Sequence, residues 1–142
     1  MTAIVDASVA AKWLFQEADA GKAGDLLAEV QAGRLSLLAP DLLPVEIASS
    51  LWKRVRREGL LPAEAMAQYS RFMELCPPLV RISSLTEQAF ALAVQLNHPI
   101  YDCLYLALAL EAACDLVTAD EKLHRTLGPD YPQVQLLRDW RA

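Results

Sequence analysis

Thr2-Ala3-Ile4-Val5-Asp6-Ala7-Ser8 is a short β-prone run that ends on an acid, after which Ser8 opens a helix rich in Ala, Trp and Leu. The same pattern returns late in the chain, where Asp115-Leu116-Val117-Thr118 runs through Ala119 to Asp120, which opens a short helix toward Leu127. Leu35 to Ala39 and Leu79 to Ile82 read as further strands, and Val134 to Leu137 as a last short one. Helical spacing covers Ala20 to Ala32, with apolar residues at Ala23, Leu26, Leu27 and Val30 and a stop at Gly33. Asp41 is positioned to cap a helix reaching about Glu58, with Pro44 tolerated in its first turn. Pro62 to about Leu75, Thr86 to Leu96 and the very apolar Tyr101 to Ala113 complete the helices. Strands alternating with helices predict a three-layer α/β/α fold around a central parallel sheet of about four to five strands, because parallel strands need crossover connections. Ligands of such sheets bind beyond the carboxyl ends of the strands, where Asp6 and Asp120 both fall.

At 142 residues the chain has the size of one ordinary domain, expected to span 1–142 without linker or repeat. A hydrophobic fraction of 54% with 22% charged residues describes a globular protein. The most apolar stretch, Leu104 to Cys114, is too short to cross a bilayer and carries Glu111. Met1 to Val5 lacks a basic leader, so a cytoplasmic protein without membrane association is expected. Cys76, Cys103 and Cys114 show no CxxC spacing and read as reduced thiols, not as a disulfide framework or zinc site. With only two histidines, any metal site must rest on oxygen ligands. The net charge of −5 argues mildly against general polyanion binding, but Lys53 to Arg57 holds four of the thirteen basic residues.

Each candidate acid has an ordinary structural reading. Asp6 and Asp120 sit at strand-to-helix turns and could cap free amides. Asp102 lies in the first turn of its helix, where the dipole favours negative charge. On the Asp41 helix, Val45, Ala48, Leu51, Trp52 and Val55 are read as the buried stripe. Glu46, Ser50, Lys53 and Arg57 then line another face, either a solvated one or an acid with a basic track running away from it. Gathered together, such acids need a cation to offset their repulsion, and magnesium and manganese prefer oxygen ligands. The chain has no Walker or GxGxxG motif, and its two histidines, His98 and His124, offer no recognisable nucleophile partner motif.

Four segments carry a family resemblance. Ile4 to Trp13 resembles the opening of a PIN domain of the VapC-like toxin ribonucleases, Leu43 to Leu51 its second motif, Pro99 to Ala109 its third, and Leu116 to Leu123 its fourth. They occur in the family's order across nearly the whole chain. The resemblance implies a metal-dependent endoribonuclease, the toxin of a toxin–antitoxin pair, using Mg2+ or Mn2+. Its implied ligands are Asp6, Asp102 and Asp120, with Glu46 binding directly or through water. Ser8 and Thr118 would support the carboxylates or a water by hydrogen bonds. Lys53, Arg54 and Arg57 would steer RNA. A homodimer and an inhibitory antitoxin are the implied protein partners, with Trp13, Leu14 and Phe15 either core or contact surface. The alternative is a PIN-like module that holds metal or RNA without cleaving it, and a third reading makes the acids mere caps and salt-bridge partners.

Overall fold

In the computed structural model, which describes all 142 residues, the chain runs β1 (Thr2–Val5), α1 (Ala7–Ala10) with a 3-10 turn over Ala11–Trp13, α2 (Ala20–Gln31), β2 (Ser36–Pro40), α3 (Leu43–Arg57) and α4 (Pro62–Leu75). It continues as β3 (Leu79–Val80), a 3-10 turn over Ile82–Ser84, α5 (Thr86–Leu96), α6 (Ile100–Glu111), β4 (Asp115–Thr118), α7 (Glu121–Leu127) and β5 (Val134–Leu136). All strand pairs are parallel, in the order β3-β2-β1-β4-β5. The chain therefore winds outward from β1 to β3 and returns to the other side of β1 with β4. That reversal opens a crevice at the carboxyl ends of β1 and β4.

Alternation along the central strands divides the core in two. Ala3 and Val5 join Val9, Ile47 and Phe72 in an apolar cluster with α1 to α4. Ile4, between them, points the other way and packs with Leu92, Leu106 and Leu127 of α5 to α7. The expected parallel sheet with helices on both faces is thus the observed fold. No helix is long and apolar enough to cross a membrane.

Three local expectations need correction. Asp41 does not cap α3: its carboxylate accepts from the Ile82 amide at 3.0 Å and its own amide donates to Val80 at 2.8 Å. That pairing ends β3 after two residues, so Ile82 falls in a turn, not in the strand. The stripe on α3 is also phased differently, with Leu43, Ile47 and Leu51 buried while Val45 and Trp52 are 63% and 54% exposed. α3 is apolar on two faces, and the second lines a surface groove of about 440 Å³ with α4, formed by Trp52, Val55, Pro62 and Met66 among others. Trp13 belongs to the core, its indole N–H donating to the Ala23 carbonyl at 3.1 Å.

Beyond α7 the chain returns to the sheet. β5 covers the outer edge of β4, the Leu137 amide donates to the Thr118 carbonyl at 2.8 Å, and the buried Trp140 donates its indole N–H to Asp115 at 3.2 Å.

α6 packs across β1, β2 and β4 and against α5, which accounts for its unbroken apolar run. Leu106 at its centre is fully buried. Leu106→Ala should cost about 3 kcal/mol through lost transfer energy and the cavity left behind. Urea unfolding checks this, and a loss under about 1 kcal/mol would contradict the central placement of α6.

Candidate active site

The sequence turns from strand to helix at Asp6, and the backbone amides freed by that turn decide how its carboxylate sits. Asp6 Oδ1 accepts from the Ser8 amide at 3.1 Å, the Val9 amide at 3.2 Å and the Ser8 hydroxyl at 2.5 Å. Oδ2 accepts from the Thr118 hydroxyl at 2.5 Å. Capping and site placement are therefore the same geometry, not alternatives. Ser8 Oγ in turn accepts from the Ala119 amide at 2.8 Å, and Thr118 Oγ1 from the Asp120 amide at 3.1 Å. These bonds stitch the end of β1 to the end of β4.

Asp120 caps α7, accepting from the Leu123 amide at 3.1 Å. Asp102, in the first turn of α6, accepts from His98 Nε2 at 2.7 Å. Glu46, in the first turn of α3, accepts from the Tyr105 hydroxyl at 2.6 Å. Asp102 and Asp120 face one cleft of about 440 Å³, whose walls include His98, Lys122 and Thr126. Asp102 also lies close enough to Asp6 and Glu46 to oppose the ionisation of both. It is thus the member shared between the buried pair and the open cleft. As they stand, no three acid, imidazole or thiol groups converge on one point closely enough to ligate a single ion.

Sequence reasoning did not single out Tyr105 or His98. Helical spacing could have pointed to Tyr105, three residues after Asp102 on α6, whereas His98 precedes the helix and its N-cap Pro99, so periodicity does not place it. Of the basic trio, Lys53 and Arg57 form no ion pair, while Arg54 is bound to Glu17 at 3.2 Å and Glu58 at 3.4 Å and lies over the Phe15 ring.

This constellation at the β1/β4 crevice coincides with a family match: the PIN domain model covers residues 3–128. The chain belongs to the PIN-domain family. Ribonuclease VapC3 of Pyrobaculum aerophilum is 32% identical over 126 residues, spanning 87% of this chain and 92% of that protein. Ribonuclease VapC9 of Mycobacterium tuberculosis is 33% identical over 123 residues, spanning 87% and 89%. The crystal structure of PAE2754 from Pyrobaculum aerophilum superposes with a TM-score of 0.65 at 19% identity, over 97% of this chain and 93% of that one, which shows a common fold.

In this PIN domain Asp6 and Glu46 ionise less readily than free carboxyls. Burial pushes the Asp6 carboxyl up to about 6, assisted by Asp102 and opposed by the hydrogen bonds from Ser8, Thr118 and Val9. Burial also raises Glu46, offset by the Tyr105 hydrogen bond and by Lys53 and reinforced by Asp102. Tyr105 stays a phenol, its ionisation suppressed first by burial and then by Glu46. The Cys103 thiol is pushed up to about 11 by burial and by Asp102, so it is not a nucleophile.

Asp6 ionises near 3.8 when unfolded and near 6 when folded. Between those values the native state holds a proton that the unfolded chain has lost, so stability falls as pH rises through the window. The difference corresponds to about 3 kcal/mol. Asp6→Asn has no such proton. In metal-free buffer, urea unfolding should show wild type losing about 3 kcal/mol relative to Asp6→Asn between about pH 4 and pH 7. A pH-independent difference would mean that Asp6 is not desolvated.

Proposed function

We propose that this PIN-domain chain is a divalent-metal-dependent endoribonuclease that serves as the toxin of a toxin–antitoxin pair. The observation carrying the reading is a buried acid, Asp6, gathered with Glu46, Asp102 and Asp120, of which only Asp102 meets a basic side chain directly, that of His98. Asp6 is 9% exposed, yet neither it, Glu46 nor Asp120 forms a salt bridge. Buried charge of one sign is tolerated when a cation is expected among it. The VapC ribonucleases similar to this chain are named for cutting RNA, which supplies the substrate class.

The donor set suits magnesium or manganese, all hard oxygen with no thiolate or pair of imidazoles in reach. Asp6, Asp102 and Asp120 would hold it, with Glu46 binding directly or through water. Bound there, the ion supplies positive charge for the scissile phosphate and acidifies a water for attack. Ser8 and Thr118 fix the Asp6 carboxylate, and His98 fixes that of Asp102. Lys53 and Arg57, free of ion pairs, steer the RNA along α3, and Arg54 contributes less because Glu17 and Glu58 already neutralise it.

The protein partners are an antitoxin and a second copy of the chain. The α3–α4 groove and the exposed Phe90 and Val94 of α5 offer apolar surface for them. Residues 1–142 act as one nuclease domain in the cytoplasm.

End-labelled RNA should be cut internally in Mg2+ or Mn2+ and left intact in EDTA. Asp6→Asn and Asp102→Asn should each lose more than about a hundredfold in rate, beyond what removing an outer hydrogen-bond partner costs, while remaining folded. Full activity of both variants in metal-replete buffer would overturn the nuclease site, and RNA or metal binding without cleavage would favour the binding-module alternative.

A further inference from the structure

Tyr105 stands one helical turn beyond Asp102 on α6, its ring 2% exposed in the apolar cluster under α5 and α7. Its hydroxyl crosses to α3 and donates to Glu46 Oε1 at 2.6 Å, a contact between residues 59 apart in sequence. The hydroxyl and the carboxylate have no other protein hydrogen-bond partner. Glu46 Oε2 has no protein donor and is not fully buried. A glutamate has three rotatable side-chain bonds and, without a tether, samples many rotamers. Within α3 only Lys53 acts on Glu46, by charge at a distance and without a hydrogen bond or ion pair.

We propose that Tyr105 is a positioning residue for the metal-dependent reaction, holding the Glu46 carboxylate by one oxygen so that the other is presented to the cation or its water. The inference rests on the nuclease reading above. A phenol suits the task. It donates one directional hydrogen bond, cannot compete as a cation, and is locked by a ring that packs as core. A lysine there would neutralise the acid, and a serine would not reach. Asp6, with two hydroxyls and two amides, needs no such strut. Glu46 is the acid with the longest side chain and a single donor, so its geometry depends on that donor.

Tyr105→Phe removes one oxygen and leaves the ring in the core. Calorimetry on the metal-free variant should show Mn2+ uptake weakened by about tenfold, in the range expected for outer partners of metal ligands. At saturating metal, kcat should fall by about tenfold while the KM for RNA stays within about twofold. In a Glu46→Ala background the same substitution should leave Mn2+ affinity within about twofold, because the group it positions is gone. Adding Mn2+ to wild type should perturb the near-ultraviolet tyrosine spectrum, and Tyr105→Phe should lose that signal. Glu46→Asp, too short to meet the phenol, reaches the same separation from the other side and should weaken Mn2+ uptake by a similar factor.

Wild type that binds Mn2+ and cuts RNA, with Tyr105→Phe unchanged or equally impaired in both backgrounds, overturns the positioning role alone. Wild type that neither binds Mn2+ nor cuts RNA overturns the nuclease reading, and the proposal with it.

Discussion

The Asp6 carboxylate sits where the first strand ends, inside the protein, and it is shared between two strands that are distant in sequence. One oxygen satisfies the amides and hydroxyl of its own turn, and the other takes the hydroxyl of Thr118 at the end of β4. Burying a carboxylate is costly unless every lone pair is met, and here the meeting requires β1 and β4 to be neighbours. The reversal of winding direction at that pair is therefore what creates the crevice and also what makes its central acid tolerable. Asp102 and Asp120 then approach from α6 and α7, elements that pack on or follow the same two strands.

Much of this was legible in the sequence because the relevant signals are local. Val5-Asp6 and Thr118-Ala119-Asp120 mark strand ends by composition, and the punctuation at Gly33, Gly59, Pro62 and Pro99 bounds the helices. The misreadings have physical causes. Asp41 precedes a helix, as a cap does, but its strongest available donor was the Ile82 amide, 41 residues away. α3 presents apolar residues on two sides, and periodicity alone cannot say which faces the sheet and which lines the surface groove. The acid positions could be read, since acids at strand ends and helix starts are conspicuous. Of their supports, Ser8 and Thr118 came with the family resemblance, but the role of Tyr105 did not, because within so apolar a helix it reads as core, which its ring is, and only its hydroxyl does anything else.

Charge tells a similar story at longer range. The net charge of −5 coexists with a basic run on α3, but the fold divides that run. Arg54 is drawn back onto Phe15, Glu17 and Glu58, and Arg56 lies over Trp52 at 4.9 Å. Those contacts secure the segment after α1 and shape the rim of the groove with α4. A cationic stretch in sequence is thus partly structural, and its outward field is smaller than its composition suggests.

The last strand matters for how the molecule can be cut apart. The family match ends at residue 128, yet β5 and Trp140 lie beyond it and close the flank of β4. A fragment trimmed to the family boundary would leave β4 as an open sheet edge, with unpaired amides and carbonyls and the apolar Leu116 and Val117 close behind them. Such an edge templates strand pairing between molecules. The tail that carries least of the family's signature is therefore what keeps β4 from recruiting a neighbour, and fragments trimmed to the boundary would aggregate where the 142-residue chain stays closed.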